Sequence, residues 1–190
     1  NHIRNDAKVN IVNAVEIATK VIPEVGICFN DKLLRGNRAK KYSIDTFDAY
    51  SSPNYPPLAY IGISLRMTRS IRKRSSKPLT LETNIDSKVA SVRLFPGLDT
   101  LMLETLLDNY NGCVISTYGS GNIPTKNTEI IHFLKEAKEK GIPVVAVSQC
   151  PQGKVNLNRY QSGRTARKAG AISALDMTEE AAIVKLMFAL

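Results

Sequence analysis

The sequence predicts an α/β chain in two parts, the second a small Rossmann-like domain built on a parallel sheet. Three observations carry this reading. From Val89 onward, short β-branched runs alternate with stretches of helical apolar spacing, the pattern of a parallel sheet with helices on both faces. Turn residues separate them at Pro96-Gly97, Gly119-Ser120-Gly121-Asn122 and Gly141. Before Val89 the pattern differs, and a Ser-, Lys-, Pro- and Thr-rich stretch places a domain boundary within residues 70–88.

In the first part, Ile11, Val15 and Ala18 fall at helical spacing with Asn13, Glu16 and Lys20 on the other side. This predicts a helix over residues 10–19, apolar face inward, ending before Pro23. Val25, Ile27 and Phe29 alternate as a strand, Asn30-Asp31-Lys32 is turn chemistry, and Leu33-Leu34 opens a second strand, so a hairpin is expected. It presents Gly36 to Lys41 as a loop at one edge. Residues 42–60 read as an ordered, Pro-rich connection, and Ile61, Ile63 and Leu65 as another strand.

In the second part, Val89–Phe95 is a strand, and Asp99 or Thr100 caps a helix holding Leu103, Leu106 and Leu107. Cys113–Tyr118 is the next strand. Thr125 caps a helix with Ile130, Phe133, Leu134 and Ala137 inward, closed by Gly141. Val144–Gln149 is a third strand, and an irregular stretch follows. Asp176 with Glu179 three residues on resembles a capping box for a helix running to Leu190. Ligands of parallel sheets gather beyond the carboxyl ends of the strands, which marks Tyr118–Asn122 and Gln149–Gly153.

Composition narrows the chemistry. The 190 residues are 43% hydrophobic and 23% charged, ordinary for a globular protein. No apolar run approaches the ~20 residues of a membrane helix, so no membrane partner is expected. The start at Asn1-His2-Ile3 is neither signal nor transit peptide and lacks an initiator Met, so the chain is expected to begin inside a longer polypeptide. Cys28, Cys113 and Cys150 are odd in number and widely spaced, with no C-x-x-C. They read as reduced thiols in a reducing compartment. Two histidines, His2 and His132, without a carboxylate cluster suggest no metal site.

The net charge is +9, and much of the excess lies at Arg66, Arg69, Arg72, Lys73, Arg74 and Lys77. Such a run can bind a phosphate backbone or serve as a localisation signal. It holds no aromatic residue to stack on bases, so it reads as a solvated linker and nucleic acid is not an expected partner. Gly119-Ser120-Gly121 invites a dinucleotide reading, but the third glycine position is Pro124, whose ring spoils close helix–strand packing. No organic cofactor is expected. The loop is either a small-ligand or subunit-contact loop carrying the amide of Asn122, or a plain tight turn.

Lys41 closes the run Leu34-Arg35-Gly36-Asn37-Arg38-Ala39-Lys40-Lys41, ahead of Phe47-Asp48-Ala49-Tyr50-Ser51-Ser52-Pro53-Asn54-Tyr55-Pro56-Pro57-Leu58. By chemistry alone it is one of 26 basic residues in solvent, or an ammonium pinned to shuttle a proton. Those runs closely resemble the L-asparaginase family in its cytoplasmic (type I) branch. Phe95-Pro96-Gly97, Tyr118-Gly119-Ser120-Gly121-Asn122, Gln149-Cys150, Gly153-Lys154-Val155 and Asp176-Met177-Thr178 match the same branch in order and spacing.

The resemblance covers essentially the whole chain. It implies an amidohydrolase that converts L-asparagine to L-aspartate and ammonia through a threonine nucleophile, in the cytoplasm, without metal or cofactor. Residues 1–75 would be the C-terminal part of a catalytic N-terminal α/β domain, 76–88 a linker, and 89–190 the C-terminal domain. By position, Lys41 looks like the family's proton-handling lysine. Members form homodimers, often paired into tetramers, and Asn122 and Tyr160 are the candidates for reaching a partner's site.

The chain also departs from the family. Neither Thr-Gly-Gly-Thr nor Thr-Asp occurs in it, so the attacking hydroxyl and its partner are missing. Either a further N-terminal segment supplies them, or the chain is an inactive binding or assembly module. An asparaginase-like subunit of a tRNA-dependent amidotransferase is a third reading. At the allosteric pocket of regulated relatives this chain has Lys40 and Ser116 where a threonine and an arginine are usual, and only Cys150 agrees. Activation by asparagine through this vestigial pocket is expected to be absent or altered.

Overall fold

The computed structural model describes residues 5–124 and 128–190, and the chain divides into two units, one ending at Leu81 and one spanning Glu82–Leu190. The first unit opens with α1 (Ala7–Ala18), whose one buried residue is Ile17. The apolar spacing locates this helix but not its buried face. Ile11 and Val15 are each 63% exposed, and Asn10 and Asn13 are half-buried instead. The physical reason lies in the hairpin beside it: Asn10 Oδ1 accepts a hydrogen bond from the backbone N–H of Asn30 (3.1 Å), a turn donor that needs a partner.

That hairpin pairs β1 (Gly26–Phe29) with β2 (Lys32–Arg35), Phe29 opposite Lys32. Lys32 is therefore a strand residue, and the turn is only Asn30-Asp31. Both take positive φ, 44° and 58°, as a two-residue type I′ connection demands and as Asn and Asp tolerate best. Residues 36–41 are not a free loop. A 3₁₀ turn over Gly36–Arg38 leads into β3 (Lys40–Lys41), which pairs with β4 (Tyr50–Ser51).

The strand expected through Ile61, Ile63 and Leu65 is instead a hairpin of β5 (Ala59–Ile61) and β6 (Leu65–Met67). The chain reverses at Gly62-Ile63-Ser64, leaving Ile63 fully exposed. A four-stranded sheet results in the order β1-β2-β5-β6, antiparallel throughout. Leu33, Leu58, Ala59 and Ile17 form its core.

An ion pair that the sequence does not announce locks this unit. Arg35, 5% exposed, donates from Nε and Nη2 to the carboxylate of Glu24 and from Nη2 to the carbonyl of Ser70 (2.9 Å). Its guanidinium lies 4.2 Å from the ring centroid of Tyr55. Glu24 also accepts from the backbone N–H of Arg72 (2.7 Å). Strand β2 is thereby tied to residues 70–72, and Arg35 holds the Glu24 carboxyl below its ordinary pKa.

The second unit is a parallel sheet in the order β10-β9-β8-β7, from β7 (Val89–Arg93), β8 (Gly112–Thr117), β9 (Val144–Ser148) and β10 (Ile172–Ser173). Strand order runs steadily one way, so each crossover returns on the same side. Helices α2 (Leu101–Asn109), α3 (Thr128–Glu139) and α4 (Gln161–Ala169) cover that face, and α5 (Glu179–Ala189) covers the other. The alternation of β8 sorts the two cores: Cys113 and Ile115 pack with Leu103, Phe133 and Ala166, while Val114 packs with Ala182 and Leu186.

The inward set Ile130, Phe133, Leu134 and Ala137 of α3 is fully buried. Gly141 closes the end of this helix at φ 73°. Thr125, the expected cap, lies outside the described residues. Asp99 Oδ1 accepts from Leu101 N (3.0 Å) ahead of α2, whereas the Thr100 hydroxyl turns to Glu129. The stretch read as irregular holds both α4 and β10. Helix α4 buries only Gly163, Ala166 and Ala169, a stripe without a single large apolar side chain.

The cap of α5 is Thr178, whose side chain accepts from Ala181 N (3.2 Å), and not Asp176. Thr178→Ala should destabilise the second unit by about 1 kcal/mol, measured as a shift in its urea midpoint. An unchanged midpoint would remove the cap from the account. Among the described residues no helix is long and apolar enough to cross a membrane.

Candidate functional site

Lys41 is held by the backbone. In the β3–β4 ribbon it sits opposite Tyr50, with Lys40 opposite Ser51, and the N–H of Tyr42 donates to the carbonyl of Ala49 (2.7 Å). Phe29 of β1 packs on Tyr50 with ring centroids 5.0 Å apart, which fixes the ribbon to the sheet. The Lys41 side chain is exposed, its Nζ 5.8 Å from the Tyr50 centroid. It makes no ion pair among the described residues. Within this unit the lysine is therefore presented at the surface and not enclosed, its ammonium against the Tyr50 ring and without an ion pair among the described residues. Behind β4, the Ser52 hydroxyl is buried without a hydrogen-bond partner.

Apart from Lys40, the remaining candidates belong to the second unit, where Asn122 and Cys150 follow the carboxyl ends of β8 and β9. The backbone of Tyr118 and Asn122 pairs in both directions, closing a tight loop. Gly119 and Gly121 adopt φ of 47° and 109°, and a Cβ on Gly121 would lie 2.7 Å from Leu157, so glycine is obligatory there on two counts. Asn122 is half-buried, its Oδ1 accepting from Ser162 Oγ on α4 (3.0 Å). Tyr160, two residues before Ser162 and at the start of α4, is 48% exposed with Arg159 5.4 Å from its ring centroid. The fold thus brings Asn122 and Tyr160 to one rim through Ser162. The sequence hides this link because α4 has no large apolar residue to mark its buried face.

Gln149 explains the next loop. Its Nε2 donates to the carbonyls of Leu94 (2.7 Å) and Ser116 (2.9 Å), spending both amide hydrogens on the ends of β7 and β8. Ser116 is wholly buried, and its hydroxyl, like that of Ser120, lacks a partner. Cys150 is exposed, with Ser148 Oγ accepting from its N–H (3.0 Å). Lys40 stands in the first unit, half-buried beside Lys41.

All three thiols are free, but they differ in environment. Burial pushes Cys113 up to about 12, and burial followed by the Asp31 carboxylate raises Cys28. A disulfide reagent should therefore label Cys150 first, Cys28 slowly and Cys113 only on unfolding, since the thiolate is the reactive form. Rapid labelling of Cys113 in the native chain, located by peptide mass, would contradict this order. No cluster of three or more His, Cys, Asp or Glu side chains suited to a metal ion occurs among the described residues.

Comparison with known proteins adds to this geometry. The family model described as glutaminase/asparaginase C-terminal domain matches residues 88–190, and that described as asparaginase, N-terminal, matches residues 1–73. L-asparaginase 1 of Escherichia coli strain K12 is 35% identical over 191 residues, covering 99% of this chain and 56% of the relative. A glutamyl-tRNA(Gln) amidotransferase subunit of Methanobrevibacter smithii is 35% identical over 197 residues, covering 98% of this chain and 44% of the relative. The solved thermostable L-asparaginase from Thermococcus kodakarensis superposes with a TM-score of 0.93 at 33% identity, over 99% of this chain and 57% of that one. This chain spans about half the length of these relatives.

Proposed function

Because the chain belongs to the glutaminase/asparaginase family, we propose that it is part of an L-asparaginase that hydrolyses the side-chain amide of L-asparagine to L-aspartate and ammonia. The observation that carries this reading is Lys41: backbone pairing and the Phe29–Tyr50 contact set its position, yet its ammonium has no carboxylate partner among the described residues. In this role it manages the proton of a threonine hydroxyl as that oxygen attacks the amide carbon. The threonine and its Thr-Asp partner come from a segment outside these residues.

The exposed face of α1 supports such a segment. Ile11, Val12 and Val15 point away from their own unit at 58–63% exposure, a stripe that water does not favour. The orphan hydroxyl of Ser52 is a second feature that an added segment would satisfy. The decisive test is to mix the chain with a separately produced N-terminal segment carrying Thr-Gly-Gly-Thr and Thr-Asp, and to assay ammonia release from L-asparagine. Activity of the mixture and none of either part supports the reading. A well-formed complex that leaves asparagine intact sinks it in favour of a binding or assembly module.

Homodimers or tetramers, with Asn122 and Tyr160 facing a neighbour's site, fit the exposed rim they share. The cytoplasm fits three unpaired thiols. Ser116 is sealed from solvent, which supports absent or altered activation by asparagine at that position. Sigmoidal velocity curves abolished at Cys150 would overturn that. Similarity to a glutamyl-tRNA(Gln) amidotransferase keeps a second reading, ammonia release for a tRNA-bound acceptor. It requires tRNA binding with steep salt dependence.

A further inference from the structure

Between Asp48 and Glu82 the sequence has no carboxylate, while six cations fall within it at Arg66, Arg69, Arg72, Lys73, Arg74 and Lys77. Up to Leu81 the chain carries fourteen Lys and Arg against six Asp and Glu. From Arg72 to Leu81 every residue is exposed, and no helix or strand lies between β6 and β7.

The root of this segment is nevertheless fixed. The Ser70 carbonyl accepts from Arg35, the Arg72 N–H donates to Glu24, and Ile71 packs against the core of the first unit. Glu24 is committed to Arg35, and among the described residues Arg69, Lys73, Arg74 and Lys77 make no ion pair. A rigid base therefore displays an unneutralised basic ribbon.

Two aliphatic side chains follow the last cation of the ribbon. Leu79 is 100% exposed and Leu81 87%. A nucleic acid would use the cations but leave these leucines in water, and the ribbon has no aromatic ring for stacking. An anionic bilayer uses both, since lysine and arginine meet the headgroups while aliphatic side chains enter the acyl boundary. The apolar-run criterion applied to the sequence excludes a spanning helix only.

From this charge complementarity and these two exposed leucines, we infer that residues 69–81 dock the first unit on an anionic phospholipid surface. The inference is independent of the amide chemistry. Each cation near such a surface contributes about a fivefold gain in partitioning, and the gain is screened by salt.

The test is co-sedimentation of the full 190-residue chain with vesicles of phosphatidylcholine alone and of phosphatidylcholine with one third phosphatidylserine. Binding is expected to the anionic vesicles only, and to weaken with salt. The triple change Arg72→Gln, Lys73→Gln and Arg74→Gln should lower it roughly a hundredfold. Leu79→Ser with Leu81→Ser should lower it at every salt concentration. All five positions are exposed, and far-UV circular dichroism checks that the variants keep their fold.

Absence of binding to anionic vesicles overturns the proposal. So does binding to single-stranded RNA as strong as to vesicles and unaffected by the leucine changes, which makes the ribbon a polyanion site. A leucine variant that turns a dimer into a monomer without altering vesicle binding also overturns it.

Discussion

Lys41→Met, in a preparation that releases ammonia from asparagine, should lower turnover by about 10²–10⁴-fold with little change in KM. Methionine keeps the length of the side chain and removes the charge. Proton handling is needed in the transition state and not in substrate binding, so the loss belongs in kcat. The β3–β4 pairing and the Phe29–Tyr50 contact hold the backbone of residue 41, so the substitution leaves the ribbon in place. Lys73→Met, a change of the same chemistry on the exposed ribbon, should leave kcat untouched. Equal turnover for wild type and Lys41→Met would remove Lys41 from the mechanism, and a raised KM alone would make it a substrate-binding group.

Glu24→Gln should destabilise the first unit by about 3–5 kcal/mol. It leaves the Arg35 guanidinium, 5% exposed, without its anion, and a buried unpaired charge costs more than the intact pair contributes. The pH dependence follows from the same contact. Arg35 holds the Glu24 carboxyl below its ordinary value in the folded chain, so folding binds fewer protons there than the unfolded state does. The stabilisation is complete above the unfolded value of about 4.3 and is lost as pH falls through the lowered folded value.

Urea midpoints of the first unit, taken from neutral pH down to acid, should fall steeply for wild type and more gently for Glu24→Gln. Part of the slope persists, because Asp48 is also lowered, by Asn30 and then by Lys32. A cost well under 1 kcal/mol with an unaltered acid slope would show the pair to be incidental.

The second unit was legible because local pattern and packing agree there. Strand β8 alternates between two covered faces, and α3 has its apolar residues on the one side that the sheet can bury. Such consistency is what lets a window of ten residues predict its own environment. Helix α4 shows the limit. Packed through Gly163, Ala166 and Ala169, it gains little from apolar area, and a Cβ on Gly163 would lie 2.8 Å from the Leu157 carbonyl oxygen. Close approach selected those residues, and side chains this small do not mark a buried face as leucine or valine would. The link from Ser162 to Asn122 was hidden with it.

The first unit shows the opposite case. Helix α1 reads as amphipathic, yet its polar edge faces the sheet because Asn10 completes the turn at Asn30. Hydrophobic spacing reports which face prefers to leave water, not whether a neighbour stands there to receive it.

By itself the sequence determined the hairpin through Asn30-Asp31 and, in the second unit, β7 to β9 with α2 and α3 between them, since each depends on residues near one another in the chain. Only the tertiary structure decided the buried side of α1, the Glu24–Arg35 pair across eleven residues, and the rim shared by Asn122 and Tyr160. These depend on contacts between distant segments, whose closure entropy is repaid only once the whole unit packs.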